Sequence, residues 1–361
     1  MRVGVLGAGQ LGRMLVLAGA PLGLRFKLFD PSRDAPGGQV APLHTGAFDD
    51  LDALGEFAHD VDVVTVDWEN VPVSSVRSVA GLTRVHPSPR ALALSQDRLS
   101  EKRLFAKLGI ATTRNVTVDR LQDLEQAVHD VGTPGILKTR RLGYDGKGQA
   151  VVRTRGDIEA AWRELGGQAL LYERKVAFSR EVSLVAARSR AGEIAFYPLA
   201  RNVHKDGILV ISRAPVEPAA LQRLAERHMR SVLEHLRYVG VLCIEFFVTR
   251  EGLVANEIAP RVHNSGHWTI EGAETSQFEN HLRAICGMPL GSTRPRGHAV
   301  MVNFIGKMPR PRAVLALAGV HLHDYGKSAR PGRKLGHATF VGSNPRERDR
   351  MARHMLRLAG R

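Results

Sequence analysis

The stretch VLCIEFFVTREGLVANEIAPRVHNSGH, residues 241–267, decides the reading of this chain. Two apolar and β-branched runs, Val241–Val248 and Leu253–Ile258, flank the turn-forming Thr249-Arg250-Glu251-Gly252, which predicts a β-hairpin. With a three-residue loop and Gly252 in the left-handed region, Glu245 and Glu257 lie opposite each other on one face. Opposed carboxylates repel, and a hard divalent cation with oxygen ligands, most simply Mg2+, resolves the repulsion and in turn suggests phosphate. The alternative is a solvated sheet face carrying both glutamates. Beyond the hairpin, Ala259–His267 is dense in hydrogen-bond donors and short of apolar residues, which suits an anionic substrate better than packing.

Working outward to the N-terminus, Arg2–Leu6 reads as a buried strand. Gly7-Ala8-Gly9-Gln10-Leu11-Gly12 matches GxGxxG ahead of a helix over Arg13–Ala20. Phe26–Phe29 is a second strand ending in Asp30, about twenty residues after the glycines, as a dinucleotide fingerprint requires. The pattern alone says NAD, but close backbone approach at a helix N-terminus demands only an anion, phosphate or carboxylate. Val61–Val66 reads as a third strand leading into Asp67-Trp68-Glu69-Asn70 at the ligand-binding edge of a parallel sheet, where Glu69 is either a ligand contact or a helix cap. After the breaker-rich Val85-His86-Pro87-Ser88-Pro89, Ala91–Leu108 reads as one helix opening a new domain.

A strand ending at Lys138 runs into Thr139–Gly148, glycine-rich and basic. That is either a lid over polyphosphate or an exposed hairpin turn. Leu170–Val176 carries Glu173 and precedes a strand opened by Glu181, an arrangement suited to an adenosine site; His204 falls in a loop, contact or bystander. Pro218–Leu236 is an amphipathic helix feeding the hairpin. The last unit holds a strand over Val300–Ile305 and two basic loops, 323–327 and 330–337.

The 361 residues suffice for two or three domains. Two cysteines in apolar contexts predict a reducing, cytoplasmic setting, the strand-like opening MRVGVLGAGQ leads us to expect no signal peptide, and no apolar run is long enough for a bilayer. A net charge of +15 is spread along the chain with aromatics at only 6%, which disfavours stacking on single-stranded nucleic acid. Two rivals are therefore an NAD-dependent dehydrogenase, resting on the glycine loop, and a nucleic-acid-binding module, resting on charge alone.

Read together, GAGQLGRML (7–15), QDR (96–98), LKTRRLGYDGKGQ (137–149), ERKV (173–176), Glu245 with Asn256-Glu257, APRVHNSGHWTIE (259–271) and the HDYGK and RPGRKLGH loops resemble the ATP-grasp superfamily. Within it, they resemble the N5-carboxyaminoimidazole ribonucleotide synthetases. The resemblance runs the length of the chain, with another ATP-grasp carboxylate–amine ligase, distinguishable only by substrate, as the nearest alternative. It implies a Rossmann-like parallel-sheet pre-ATP-grasp domain (1–95), an α+β ATP-grasp domain (96–292, lid about 111–175) and a small C-terminal domain (293–361). It also implies ATP, Mg2+, bicarbonate and 5-aminoimidazole ribonucleotide as reactants, and a homodimer with no nucleic-acid or membrane partner.

The same resemblance implies site roles. For ATP they fall to Arg98, Lys138, Gly143, Tyr144, Asp145, Gly146, Lys147, Gly148 and Gln149. Glu173, Arg174, Lys175, Val176, Glu181, His204, Asn256 and Glu257 complete that group. Metal falls to Glu245 and Glu257. The ribonucleotide falls to Gln10, Leu11, Glu69, Tyr144, Asp145, Arg261, His263, Asn264, Lys327, Arg333 and Lys334. Chemistry is expected of Arg261, whose planar fork suits bicarbonate, of Lys147, and of His263 and Asp145 as proton acceptors or anchors for the amine. Asp67 stands where the family pattern has Glu, and Val262 where it has Pro.

Overall fold

The computed structural model describes residues 1–143 and 146–361, so Tyr144 and Asp145, both expected at the site, lie outside the described residues. Near the N-terminus, β1 (Arg2–Leu6), β2 (Arg25–Asp30), β3 (Leu43–Thr45), β4 (Val63–Val66) and β5 (Arg84–Val85) form a parallel sheet in the order β3-β2-β1-β4-β5. Val63–Val66 is thus the fourth strand and not the third, because Leu43–Thr45 is too short to carry a periodic signal. The first helix is Gln10–Gly19, so Gln10 already belongs to its first turn.

The expected long helix over 91–108 is two helices, Pro89–Ser95 and Arg98–Lys107. Asp97 interrupts them because its carboxylate accepts the amides of Leu99 (2.9 Å) and Ser100 (3.4 Å), which makes it the N-cap of the second. Next comes an antiparallel sheet of β6 (Asn115–Val118), β7 (Gly135–Thr139), β8 (Gln149–Val152) and β9 (Leu170–Arg174), ordered β6-β9-β7-β8. Helices Leu121–Val131 and Ile158–Leu165 bury Leu124, Val128 and Leu165 against its Leu137 and Tyr172.

The remaining strands join one antiparallel sheet: β10 (Arg180–Arg188), β11 (Ile194–Phe196), β12 (Ala200–Lys205), β13 (Ile208–Ala214), β14 (Gly240–Val248), β15 (Leu253–Ala259), β16 (His298–Ile305), β17 (Val320–Asp324) and β18 (Lys334–Gly342). Their order is β15-β14-β10-β12-β13-β16-β18-β17, with β11 on β10. The last three strands thus extend the sheet that carries the hairpin. His204 lies in β12 and not in a loop. Helix Ala219–His235 covers one face through Met229 and Leu233. On the other face, helix Gln277–Cys286 sits between the two large sheets, with His281 accepting the Val241 amide (3.0 Å) and meeting Thr65 Oγ1 (2.8 Å).

Candidate active site

The hairpin forms with Glu245 paired to Glu257, and Gly252 takes a φ of +129°. The cause of the pairing differs from the three-residue loop expected. Val248 pairs with Leu253 and Phe246 with Ala255, and the register then slips by one residue at Asn256. Leu253, Ala255 and Ile258 all point into the core under helix Ala219–His235. Without the bulge, strict alternation would have sent Glu257 into that core with Leu253 and Ala255. The extra residue turns it onto Glu245's face. The bulge is anchored from outside the hairpin: Lys102 Nζ donates to the Asn256 carbonyl (2.7 Å), Ala255 N to the Ala111 carbonyl (2.7 Å), and Ile258 N to the Glu101 carboxylate.

Burial first, and the facing Glu257 second, push the Glu245 carboxyl up to about 7. Two facing carboxylates, one nearly buried and the other 40% exposed, fit a hard divalent cation. Among the described residues no group of three or more His, Cys, Asp or Glu could hold a metal, so an ion here would complete its shell with phosphate oxygens or water.

Two cavities meet at the hairpin. A larger one of about 660 Å³ lies between the glycine loop, the 67–70 segment, the basic loop, the hairpin tail and the 327–334 loop. A smaller one of about 280 Å³ lies between the lid sheet and the β10–β15 face. Arg98, Lys147, Glu257, His263, Asn264 and Lys334 line both.

In the smaller cavity Lys138 donates to Glu173 (2.8 Å), with Lys102 at 3.6 Å; these cations outweigh burial and hold the Glu173 carboxyl down at about 2. His204 pairs with Glu181 through Nδ1, and this overcomes burial to raise its pKa. Gln149, Arg174, Lys175, Val176, Gly146 and Asn256 also line it, as do Phe178 and Phe247, stacked at 4.7 Å and missed by the sequence reading. An aromatic pair split between residues 178 and 247 leaves no local signal.

Gln10, Leu11, Glu69, Gly143, Arg261, Lys327 and Arg333 line the larger cavity. Gly148 lines neither: its carbonyl accepts the Thr139 amide (2.8 Å) and closes the base of the basic loop. Glu69 caps no helix. It takes Arg261 Nε, and although burial favours the neutral acid, the guanidinium lowers its pKa. Burial, followed by the charges of Arg261 and Lys334, puts the His263 pKa well below the ordinary imidazole value. Lys327 donates to Gln10 Oε1; burial and then Arg333 bring its ammonium down to about 8.

Three successive residues tie the walls together. Gln96 donates to the carbonyls of Glu69 (2.8 Å) and Val71 (2.7 Å). Asp97 accepts Arg140 at 2.7 and 3.2 Å, and Arg98 donates to Glu257 (3.3 Å).

The glycine loop itself is filled from within. Ala8 N donates to Asp30 (2.8 Å) and Gly12 N to Asp67 (3.1 Å), and a Cβ on Gly7 would fall 1.7 Å from Asp67 Oδ1. Burial raises Asp67 to about 6. Its anion is the protein's own, and the dinucleotide reading fails on that geometry.

A lid sheet and a large antiparallel sheet enclosing cations and paired carboxylates, behind a parallel-sheet domain, define an ATP-grasp enzyme. Family models match in series: a ribonucleotide synthetase preATP-grasp domain over residues 1–96, an ATP-grasp domain over 103–278 and a phosphoribosylaminoimidazole carboxylase C-terminal domain over 299–351. The chain belongs to the N5-carboxyaminoimidazole ribonucleotide synthase family of ATP-grasp ligases. It is 50% identical over 340 residues to the N5-carboxyaminoimidazole ribonucleotide synthase of Pseudomonas aeruginosa, covering 94% of each chain. To that of Bacillus subtilis it is 36% identical, covering 94% of this chain and 91% of the relative. The crystal structure of the Thermus thermophilus synthetase superposes with a TM-score of 0.95 at 51% identity, covering 99% of this chain and 98% of that one. The Aspergillus clavatus enzyme in complex with ADP and 5-aminoimidazole ribonucleotide gives 0.93 at 29% identity, with 99% and 98% covered.

Proposed function

We propose that this chain carboxylates the amine of 5-aminoimidazole ribonucleotide with bicarbonate at the expense of ATP, yielding N5-carboxyaminoimidazole ribonucleotide, ADP and phosphate in purine biosynthesis. The observation that carries this reading is the wall shared by the two cavities, with Arg98, Lys147, Glu257, His263, Asn264 and Lys334 facing both. A nucleotide in the smaller cavity and a ribonucleotide in the larger would present γ-phosphate and amine to the same few side chains.

Bicarbonate is a poor electrophile. One of its oxygens attacks the γ-phosphorus, ADP leaves, and the resulting carboxyphosphate passes its carbon to the amine nitrogen as phosphate departs and the amine loses a proton. Placement and charge neutralisation dominate such a transfer, and Lys138, Lys147 and Arg98 supply them. Mg2+ bound by Glu245 and Glu257 would neutralise further phosphate charge. Arg261, held through Nε by Glu69, would bind the planar bicarbonate. Lys327, Arg333 and Lys334 act on the ribose 5′-phosphate, giving remote binding energy that orients the amine. The basic loop keeps water from the mixed anhydride.

ADP release tests the reading. It should require Mg2+ and bicarbonate and rise strongly with 5-aminoimidazole ribonucleotide; release indifferent to that nucleotide would reassign the substrate. Glu257→Gln should stay folded by circular dichroism and lose Mg2+-dependent turnover by about 100-fold or more, and near-normal turnover would remove Glu257 from the metal site.

A further inference from the structure

A row of buried polar side chains runs under the large sheet and ends on His263. Ser212 Oγ donates to Asn202 Oδ1 (2.7 Å), Asn202 Nδ2 to Ser183 Oγ (2.9 Å) and Ser183 Oγ to Ser265 Oγ (2.7 Å), which lies 2.7 Å from His263 Nδ1. The four residues come from the adjacent strands β13, β12 and β10 and from the hairpin tail, and none is more than 3% exposed. Apolar side chains could fill such a row without needing partners, so a continuous polar chain in the core calls for a use.

Its sense is set by a donor that cannot reverse. The backbone amide of Ser265 points at His263 Nδ1 (3.3 Å). A nitrogen that accepts an N–H carries a lone pair and no proton, so the ring proton sits on Nε2. Each hydroxyl has one proton to give. With Ser265 directing its own at Nδ1, Ser183 gives to Ser265, the Asn202 amide gives to Ser183, and the order runs unbroken to Ser212. His263 lines both cavities, and its Nε2 lies 3.7 Å from Oε1 of Glu245, which lines the smaller one.

We propose that Ser265, Ser183, Asn202 and Ser212 are positioning residues that hold His263 as the Nε2–H tautomer, so that it donates a hydrogen bond to the oxyanion forming between the cavities and does not take the amine proton. The identity of that oxyanion rests on the carboxylation reading; the tautomer does not.

The test uses the full chain with 15N-labelled histidine. Long-range 1H–15N correlation separates protonated from bare ring nitrogens, and His263→Asn identifies the signals. Nδ1 should be bare and Nε2 protonated in the substrate-free protein; the reverse overturns the proposal. Ser265→Ala and Ser183→Ala should shift His263 toward a mixture of tautomers and lower kcat about tenfold, the size of one misdirected hydrogen bond, with the KM for ATP nearly unchanged. Ser183→Thr, which keeps the hydroxyl, should restore both.

Loss of kcat with the ring nitrogens unchanged would make the row merely structural and overturn the proposal. If Ser265→Ala does not fold, Ser183→Ala carries the comparison. Failure of the wider reading would show separately, as ADP release indifferent to 5-aminoimidazole ribonucleotide with the tautomer intact.

Discussion

Two glycine-rich loops face the larger cavity, and they do opposite things. In residues 7–12 the backbone closes on Asp30 and Asp67, carboxylates brought from the ends of β2 and β4. In the second loop, among the described residues, Arg140 and Lys147 line the cavity, and Gly146 (φ +78°) lies against the Asp206-Gly207 turn. Backbone amides supply only a preference for negative charge. Which anion satisfies it depends on what the rest of the fold places opposite: two acids against the amides of the first loop, and at the second Asp97 against Arg140 with the cavity beyond.

Four substitutions probe that contrast. Lys147→Ala in the second loop should cut turnover by about 100- to 1000-fold with little change in melting temperature; a change in stability alone would make this loop structural like the first. Gly7→Ala should do the reverse, costing about 4 kcal/mol in denaturant unfolding, because its Cβ meets a carboxylate and its φ is +97°. Full stability would show that Asp67 does not fill the loop.

Asp67→Asn addresses the filling itself. The folded Asp67 carboxyl titrates near 6 against an ordinary 3.8, so the wild type loses stability as pH rises through that window and its buried acid must ionise. The variant should match the wild type near pH 4 and gain on it by at most about 3 kcal/mol above pH 6. A difference that does not vary with pH would mean that this carboxyl ionises freely. The smallest effect is expected of Lys334→Ala, on the wall where the cavities join: a rise of about tenfold in the KM for the ribonucleotide, exceeding that for ATP. An effect on ATP alone would move the 5′-phosphate clamp elsewhere.

Much of the site was legible because its chemistry sits in short local runs. The paired glutamates, the basic loop and the donor-rich 259–267 segment each carry their meaning within about ten residues, and periodicity reads at that range. Phe178 with Phe247, Lys102 beneath the bulge and the Ser183–Asn202–Ser212 row are assembled from separate strands and helices. No window of sequence contains them. His204 read as a loop residue because Arg201, Asn202 and Lys205 dilute its strand's apolar pattern, whereas neighbours on both sides hold β12 in the sheet.

Sequence by itself determined which residues bring charge and flexibility: the two glutamates of the hairpin, Arg140, Arg141 and Lys147 of the basic loop and the glycines of both loops. Only the tertiary structure decided where they point. The face that Glu257 occupies turns on one extra residue in β15, held by Lys102 from 154 positions earlier. The anion in the first glycine loop turns on a carboxylate 55 positions beyond Gly12. Alternation and spacing are local rules, and a bulge or an internal counter-charge is stable only when distant parts of the chain satisfy its backbone groups.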